Sequence, residues 1–168
     1  MKTMRLLLPF THGVDAYAID SALRLAKGRD AILIPLALIH VPEDGRPKGA
    51  RLEHIQQSKD FLEAVKRKAA RYSVPIERLE VYTSDVAESI RAIASEMECE
   101  GILLFVEGGD GVLLSAREIK HLMEHFTCNL YVLRLESDGN RSLKRVLRER
   151  FTYWLHGRTE HRDELLQV

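Results

Sequence analysis

Short apolar runs alternate with stretches of helical periodicity along most of this chain. Residues 5–10 (RLLLPF) form the first run, and Thr11-His12-Gly13 reads as the turn that follows. From about Asp15, the residues Ala16, Ile19, Leu23 and Ala26 recur three or four apart, which predicts a helix closed by Lys27-Gly28. Residues 31–41 (AILIPLALIHV) are apolar almost throughout, as expected of a central strand covered on both faces. Pro35 is expected near the start of that strand, where a missing donor is tolerable. The polar stretch 42–50 (PEDGRPKGA) reads as a loop. A second helix is predicted over 51–72, with Ile55, Ser58, Leu62, Val65, Ala69 and Tyr72 on its apolar stripe and Ser73-Val74-Pro75 ending it. Residues 78–82 (RLEVY) alternate as a strand. Asp85 and Glu88 then stand in capping-box spacing, ahead of a helix with Ile90, Ile93, Ala94 and Met97 inward.

The same grammar is densest over 101–134. An apolar run through Ile102 and Val106 stops at Gly108-Gly109-Asp110-Gly111. Ser115 and Glu118 give a second capping box, the next helix carries Ile119, Leu122, Met123 and Phe126 on one side, and a last strand runs from Leu130 to Leu135. Strand, glycine loop, helix, strand is a βαβ unit, which builds a parallel sheet through a right-handed crossover. Ligands of such sheets sit outside the carboxyl ends of the strands. A glycine loop entering a helix suits an anion, because free N–H groups and the helix dipole point at it. It serves equally as a tight connection that needs glycine for its backbone angles. Strands and helices alternating β-α-β-α-β-α-β-α-β predict a three-layer α/β/α sandwich around a five-stranded parallel sheet.

Residues 136–140 (ESDGN) are polar and are expected to leave the core. Residues 1–136 then form the α/β domain and 137–168 a C-terminal amphipathic extension. In that extension a helix is predicted over 142–156, with Leu143, Val146, Leu147, Phe151, Trp154 and Leu155 sharing a face. Packing against protein, in its own domain or a partner subunit, is favoured over an anionic membrane surface for that face. Apolar residues make up 45% of the chain, yet no run approaches the roughly 20 needed to span a bilayer. The first apolar run stops at Pro9, too soon for a secretion signal, so a cytoplasmic location is expected. Lys plus Arg and Asp plus Glu number 25 each, leaving no net field to gather nucleic acid. Cys99 and Cys128 form no C-x-x-C pair and are expected as buried thiols.

No G-x-S-x-G elbow and no G-x-x-x-x-G-K-[ST] loop is present, so neither a catalytic set nor a P-loop is expected. His121 and His125 are spaced for a shared metal but lack a third ligand, and they read as surface histidines. His12 falls at the expected mouth of the cleft.

Several fragments in order resemble the universal stress protein family from Met4 to Leu135. These are LLLPF with its short turn, Leu38-Ile39-His40-Val41, Ser84-Asp85-Val86-Ala87-Glu88-Ser89-Ile90, Ile102-Leu103-Leu104, and Cys128-Asn129-Leu130-Tyr131-Val132-Leu133-Arg134. The resemblance implies an adenine nucleotide alpha hydrolase-like fold with strand order 3-2-1-4-5. It also implies a homodimer through the last strand, which the C-terminal helix would reinforce. ATP-binding members carry an aspartate after the first strand, then Gly-x-x-Gly and further on Gly-Ser or Gly-Thr. Here Thr11 stands at the aspartate position, Phe105 or Val106 at the first glycine and Gly108 at the second. Ala116-Arg117 falls at the Gly-Ser pair, or Ser115 supplies the hydroxyl, and the segment is shorter than the family's. The candidate ligand set is therefore Thr11, His12, Val41, Gly108, Gly109, Gly111, Ser115 and Arg117, around an altered phosphate cradle. The implied function is regulatory or ligand-sensing, with no cofactor and no ATP bound in the usual way, and Arg117 offering a partner to a smaller anion. Alternatives are a stress protein binding ATP or another adenine nucleotide with Mg and hydrolysing it weakly or not at all, and a regulatory subunit or domain of a membrane transporter.

Overall fold

The computed structural model describes residues 2–43, 52–125 and 128–136. The elements in order are β1 (Arg5–Phe10), α1 (Ala16–Gly28), β2 (Ile32–His40), α2 (Leu52–Tyr72), β3 (Leu79–Thr83), α3 (Val86–Glu96), β4 (Gly101–Glu107), β5 (Asp110–Val112), α4 (Ala116–Glu124) and β6 (Asn129–Leu135). Five of the strands are parallel and lie in the order β3-β2-β1-β4-β6. Counting parallel strands alone, this is the expected 3-2-1-4-5. The sheet has a sixth member, because β5 pairs antiparallel with the end of β4. The glycine run expected to be a plain loop thus contains a hairpin.

Alternation along the strands builds the layers. Leu6, Leu8, Phe10, Leu33, Ala37, Leu103 and Phe105 pack with α1 and α2, while Leu7, Ile34, Leu36, Leu38, Ile102, Leu104 and Leu130 pack with α3 and α4. Each Leu, Ile or Phe among them contributes about 1.5–3 kcal/mol on full burial, so the two faces outweigh any single polar contact. The continuous apolar reading of β2 follows from its place between β1 and β3.

Pro35 lies in the middle of β2 rather than near its start. The missing N–H is accommodated because β2–β3 pairing is broken there: an isolated bridge joins Leu33 to Ile76, and the ladder begins at Leu36 and Leu79. Ala16 is exposed, and Ala18, Ile19, Ala22, Leu23, Leu25 and Ala26 make the buried stripe of α1. On α2 the stripe includes Phe61, fully buried and stacked on Phe10 with ring centroids 4.3 Å apart.

Asp15 caps α1 by accepting from the Ala18 N–H at 2.9 Å. Asp85 caps α3 similarly, but only half of the expected box forms. Thr83 Oγ1 takes the Asp85 N–H at 3.0 Å, and the Glu88 carboxylate turns to Arg91 at 3.2 Å. Arg91 also donates to the His125 carbonyl at 3.2 Å, satisfying an orphan acceptor at the end of α4. No described helix is long and apolar enough to cross a membrane. The connection over 44–51, Phe126, and the extension over 137–168 with its expected helix lie outside the described residues.

Candidate functional site

The strand order reverses between β1 and β4, and the sequence of β1 opens a gap there. Arg5 accepts from the Glu100 N–H at 2.9 Å, so by alternation Leu7, Pro9 and Thr11 also direct their backbone groups toward β4. Pairing of the two strands ends at Leu7 with Ile102. Pro9 has no N–H to continue it. The strands therefore part at their carboxyl ends, at the switch point where sheets of this kind hold ligands.

The chain's own hairpin enters that gap. β6 lines one side of β4 over its whole length, which leaves the β1 side for β5. Between Glu107 and Asp110 lie two turn residues, and Gly108 at the first of them has φ +60°, as a type II′ hairpin turn requires. Beyond β5, the Leu113 carbonyl accepts from the Thr11 N–H at 2.8 Å and from the His12 N–H at 3.4 Å. Leu113 pays for this position with φ +70°, a left-handed conformation costing about 1–3 kcal/mol for a residue other than glycine. Burial offsets it: Leu113 packs with the α1–α2 face and Leu114 with the α3–α4 face, at 2% and 1% exposure. Gly111 is needed because a Cβ there would overlap the Leu114 carbonyl oxygen.

The start of α4 completes the contact. Ser115 Oγ accepts from the Glu118 N–H at 3.1 Å, and Glu118 Oε2 accepts from the Ser115 N–H at 2.7 Å, so this capping box is whole. The same Oε2 accepts from the Thr11 hydroxyl at 2.9 Å. His12 Nδ1 lies 3.0 Å from Thr11 Oγ1; with the hydroxyl proton given to Glu118, we assign Nδ1 as the donor. On the other flank Gly13 N–H donates to Gln57 Oε1 at 3.2 Å, tying the turn to α2.

Of the candidate residues, Thr11, His12, Gly111 and Ser115 belong to this one constellation. Gly108 and Gly109 are exposed at the hairpin turn, and Arg117 is exposed on the first turn of α4. Val41, at the end of β2, donates its N–H to Thr83 at 2.9 Å, on the β3 side. Leu113 and Glu118 hold the constellation together and were not among the candidates. Glu118 is visible in the sequence as a capping residue, but nothing local signals its bond to Thr11.

A second cluster lies at the amino ends of β4 and β6. Cys99 and Cys128 share a cavity of about 360 Å³ with Lys2, Arg91, Ser95 and Glu98. Burial pushes the Cys99 thiol up to about 11 and the Cys128 thiol, with Cys99 nearby, up to about 12. Both are free thiols. Among the described residues, no three His, Cys, Asp or Glu side chains are grouped to hold a metal ion.

The sequence profile of the universal stress protein family matches residues 3–134. The chain belongs to the universal stress protein family. Solved structures agree at the level of fold. A family member from Burkholderia pseudomallei is 20% identical with a TM-score of 0.58, over 76% of this chain and 93% of that one. The Archaeoglobus fulgidus universal stress protein in complex with dAMP is 12% identical with a TM-score of 0.60, over 79% and 98%. An Arabidopsis thaliana family protein with AMP bound is 12% identical with a TM-score of 0.52, over 78% and 91%. No curated protein matches the chain in sequence.

Proposed function

We propose that this universal stress protein is a regulatory or ligand-sensing domain that does not bind ATP in the manner of its ATP-binding relatives. The observation that carries the reading is the Glu118 carboxylate at the α4 N-terminus, bonded to Ser115 N–H and the Thr11 hydroxyl. The Archaeoglobus and Arabidopsis relatives hold dAMP and AMP. A phosphate of such a ligand would need the positive end of a helix and free backbone donors. In this chain that end already faces a carboxylate, and the Thr11 N–H is spent on Leu113. A second anion beside Glu118 would meet like charge, so these residues do not fit an adenine nucleotide at that position.

Turnover is not part of the proposal. The Thr11 hydroxyl and the Ser115 hydroxyl both serve chain contacts, and neither is presented to a substrate by a base. Among the described residues β6 is the outer strand of the sheet on its side, with Val132, Leu133 and Leu135 half-buried, and we propose a homodimer contact on it.

Calorimetric titration with Mg-ATP tests the central reading. No binding tighter than roughly 1 mM, about 4 kcal/mol, is expected. Micromolar affinity in the unmodified protein would overturn it.

A further inference from the structure

The capping box of α4 is complete without Thr11. Even so, Glu118 Oε2 reaches a hydroxyl 107 positions away in sequence, and Leu113 adopts a left-handed backbone to place its carbonyl on the neighbouring N–H. These contacts join the two strands at the point where the sheet divides, and each uses a group that a bound anion would otherwise use. Thr11 N–H, Thr11 Oγ1–H and Ser115 N–H all point at acceptor oxygens, and both acceptors, the Leu113 carbonyl and Glu118 Oε2, belong to the chain.

We propose that Leu113 and Glu118 form an internal clasp, an autoinhibitory contact in which the chain's own carbonyl and carboxylate stand in for the oxygens of a phosphate-bearing ligand. The inference rests on the functional reading above and adds how the crevice is regulated: it is shut by a hairpin, and it accepts an anionic oxygen group only after the clasp is released. The hairpin is suited to release. β5 is three residues long, its turn at Gly108 and Gly109 is exposed, and Leu113 beside it carries the strained backbone. Leu113 and Leu114, buried on opposite faces of the sheet, oppose release and keep the closed form as the ground state. Removing the Glu118 charge weakens its bonds to the Thr11 hydroxyl and the Ser115 N–H and shifts that balance.

Amide hydrogen exchange on the full chain, with AMP as the probe, tests the clasp. In the unmodified protein the Thr11 and Ser115 amides are expected to exchange as slowly as those of Leu8 and Ile102 in the sheet interior, with or without millimolar AMP. In Glu118→Gln, and separately in Thr11→Val, both amides should exchange at least tenfold faster while Leu8 stays protected. AMP should restore their protection in Glu118→Gln. Loss of Leu8 protection would mark a general loss of fold in that variant, and the other variant then carries the comparison. Fast exchange at Thr11 and Ser115 in the unmodified protein would sink the clasp even if Mg-ATP still fails to bind, leaving the functional reading intact. Slow exchange that neither substitution changes, or AMP protecting neither variant, would make these contacts purely structural and end the proposal.

Discussion

At Gly111 a Cβ would overlap the Leu114 carbonyl oxygen and crowd the backbone of Ser115 and Ala116. Gly108 has open space around it but a positive φ, and Gly109 has open space with no such constraint. The three glycines therefore rank by cause. Gly111→Ala should lower stability by about 1–3 kcal/mol through overpacking. Gly108→Ala should cost about 1–2 kcal/mol through its backbone angle, and Gly109→Ala should be close to neutral. Urea midpoints of the three variants check the order. A neutral Gly111→Ala would mean that the hairpin does not press against the start of α4. The cysteines give a second residue-scale prediction. With its thiol raised to about 11, Cys99 should react with iodoacetamide at about pH 8 roughly a hundredfold more slowly than free cysteine. Both folded-state values lie above the unfolded one, so this contribution to stability is complete below the ordinary thiol range. It is lost as pH rises through about 11 and 12. Alkylation followed by mass spectrometry measures the rate, and labelling as fast as in the unfolded chain would contradict the burial.

Among the elements, α2 depends most on one side chain. Phe61 is fully buried against Phe10, with the two rings 5° from parallel, and anchors the helix over the carboxyl end of β1. Phe61→Ala should cost about 3–5 kcal/mol, read as a fall in the denaturation midpoint. The element order was legible in the sequence because apolar runs and caps are local signals: Asp15, Asp85 and Ser115 each start the helix they announce. Phe61 escaped the predicted stripe because its neighbour Leu62 fits the same spacing, and the stripe of a long helix is wide enough for both. β5 escaped because three residues show no period. Its local sign was the Gly-Gly pair between Glu107 and Asp110, which also reads as a loop. Thr11 and Ser115 were picked out as site residues, but their link through Glu118 depends on the sheet bringing the end of β1 beside the start of α4. No local spacing encodes that.

At the scale of the molecule, the described residues form one sheet between two helical layers, and β5, Leu113 and the Glu118 carboxylate sit at its switch point between β1 and β4. Two relatives of the same fold hold dAMP and AMP, while in this chain the N-terminus of α4 faces the chain's own Glu118 carboxylate. With β6 outermost among the described strands, the proposed dimer would bring two copies together along it about a two-fold axis. Native mass spectrometry of the freshly purified full chain tests the closed crevice most directly, since it weighs the assembly with whatever it retains. The account predicts a dimer of twice the 19.2 kDa chain carrying no adenine nucleotide. A stoichiometric AMP or ATP on each chain would contradict it.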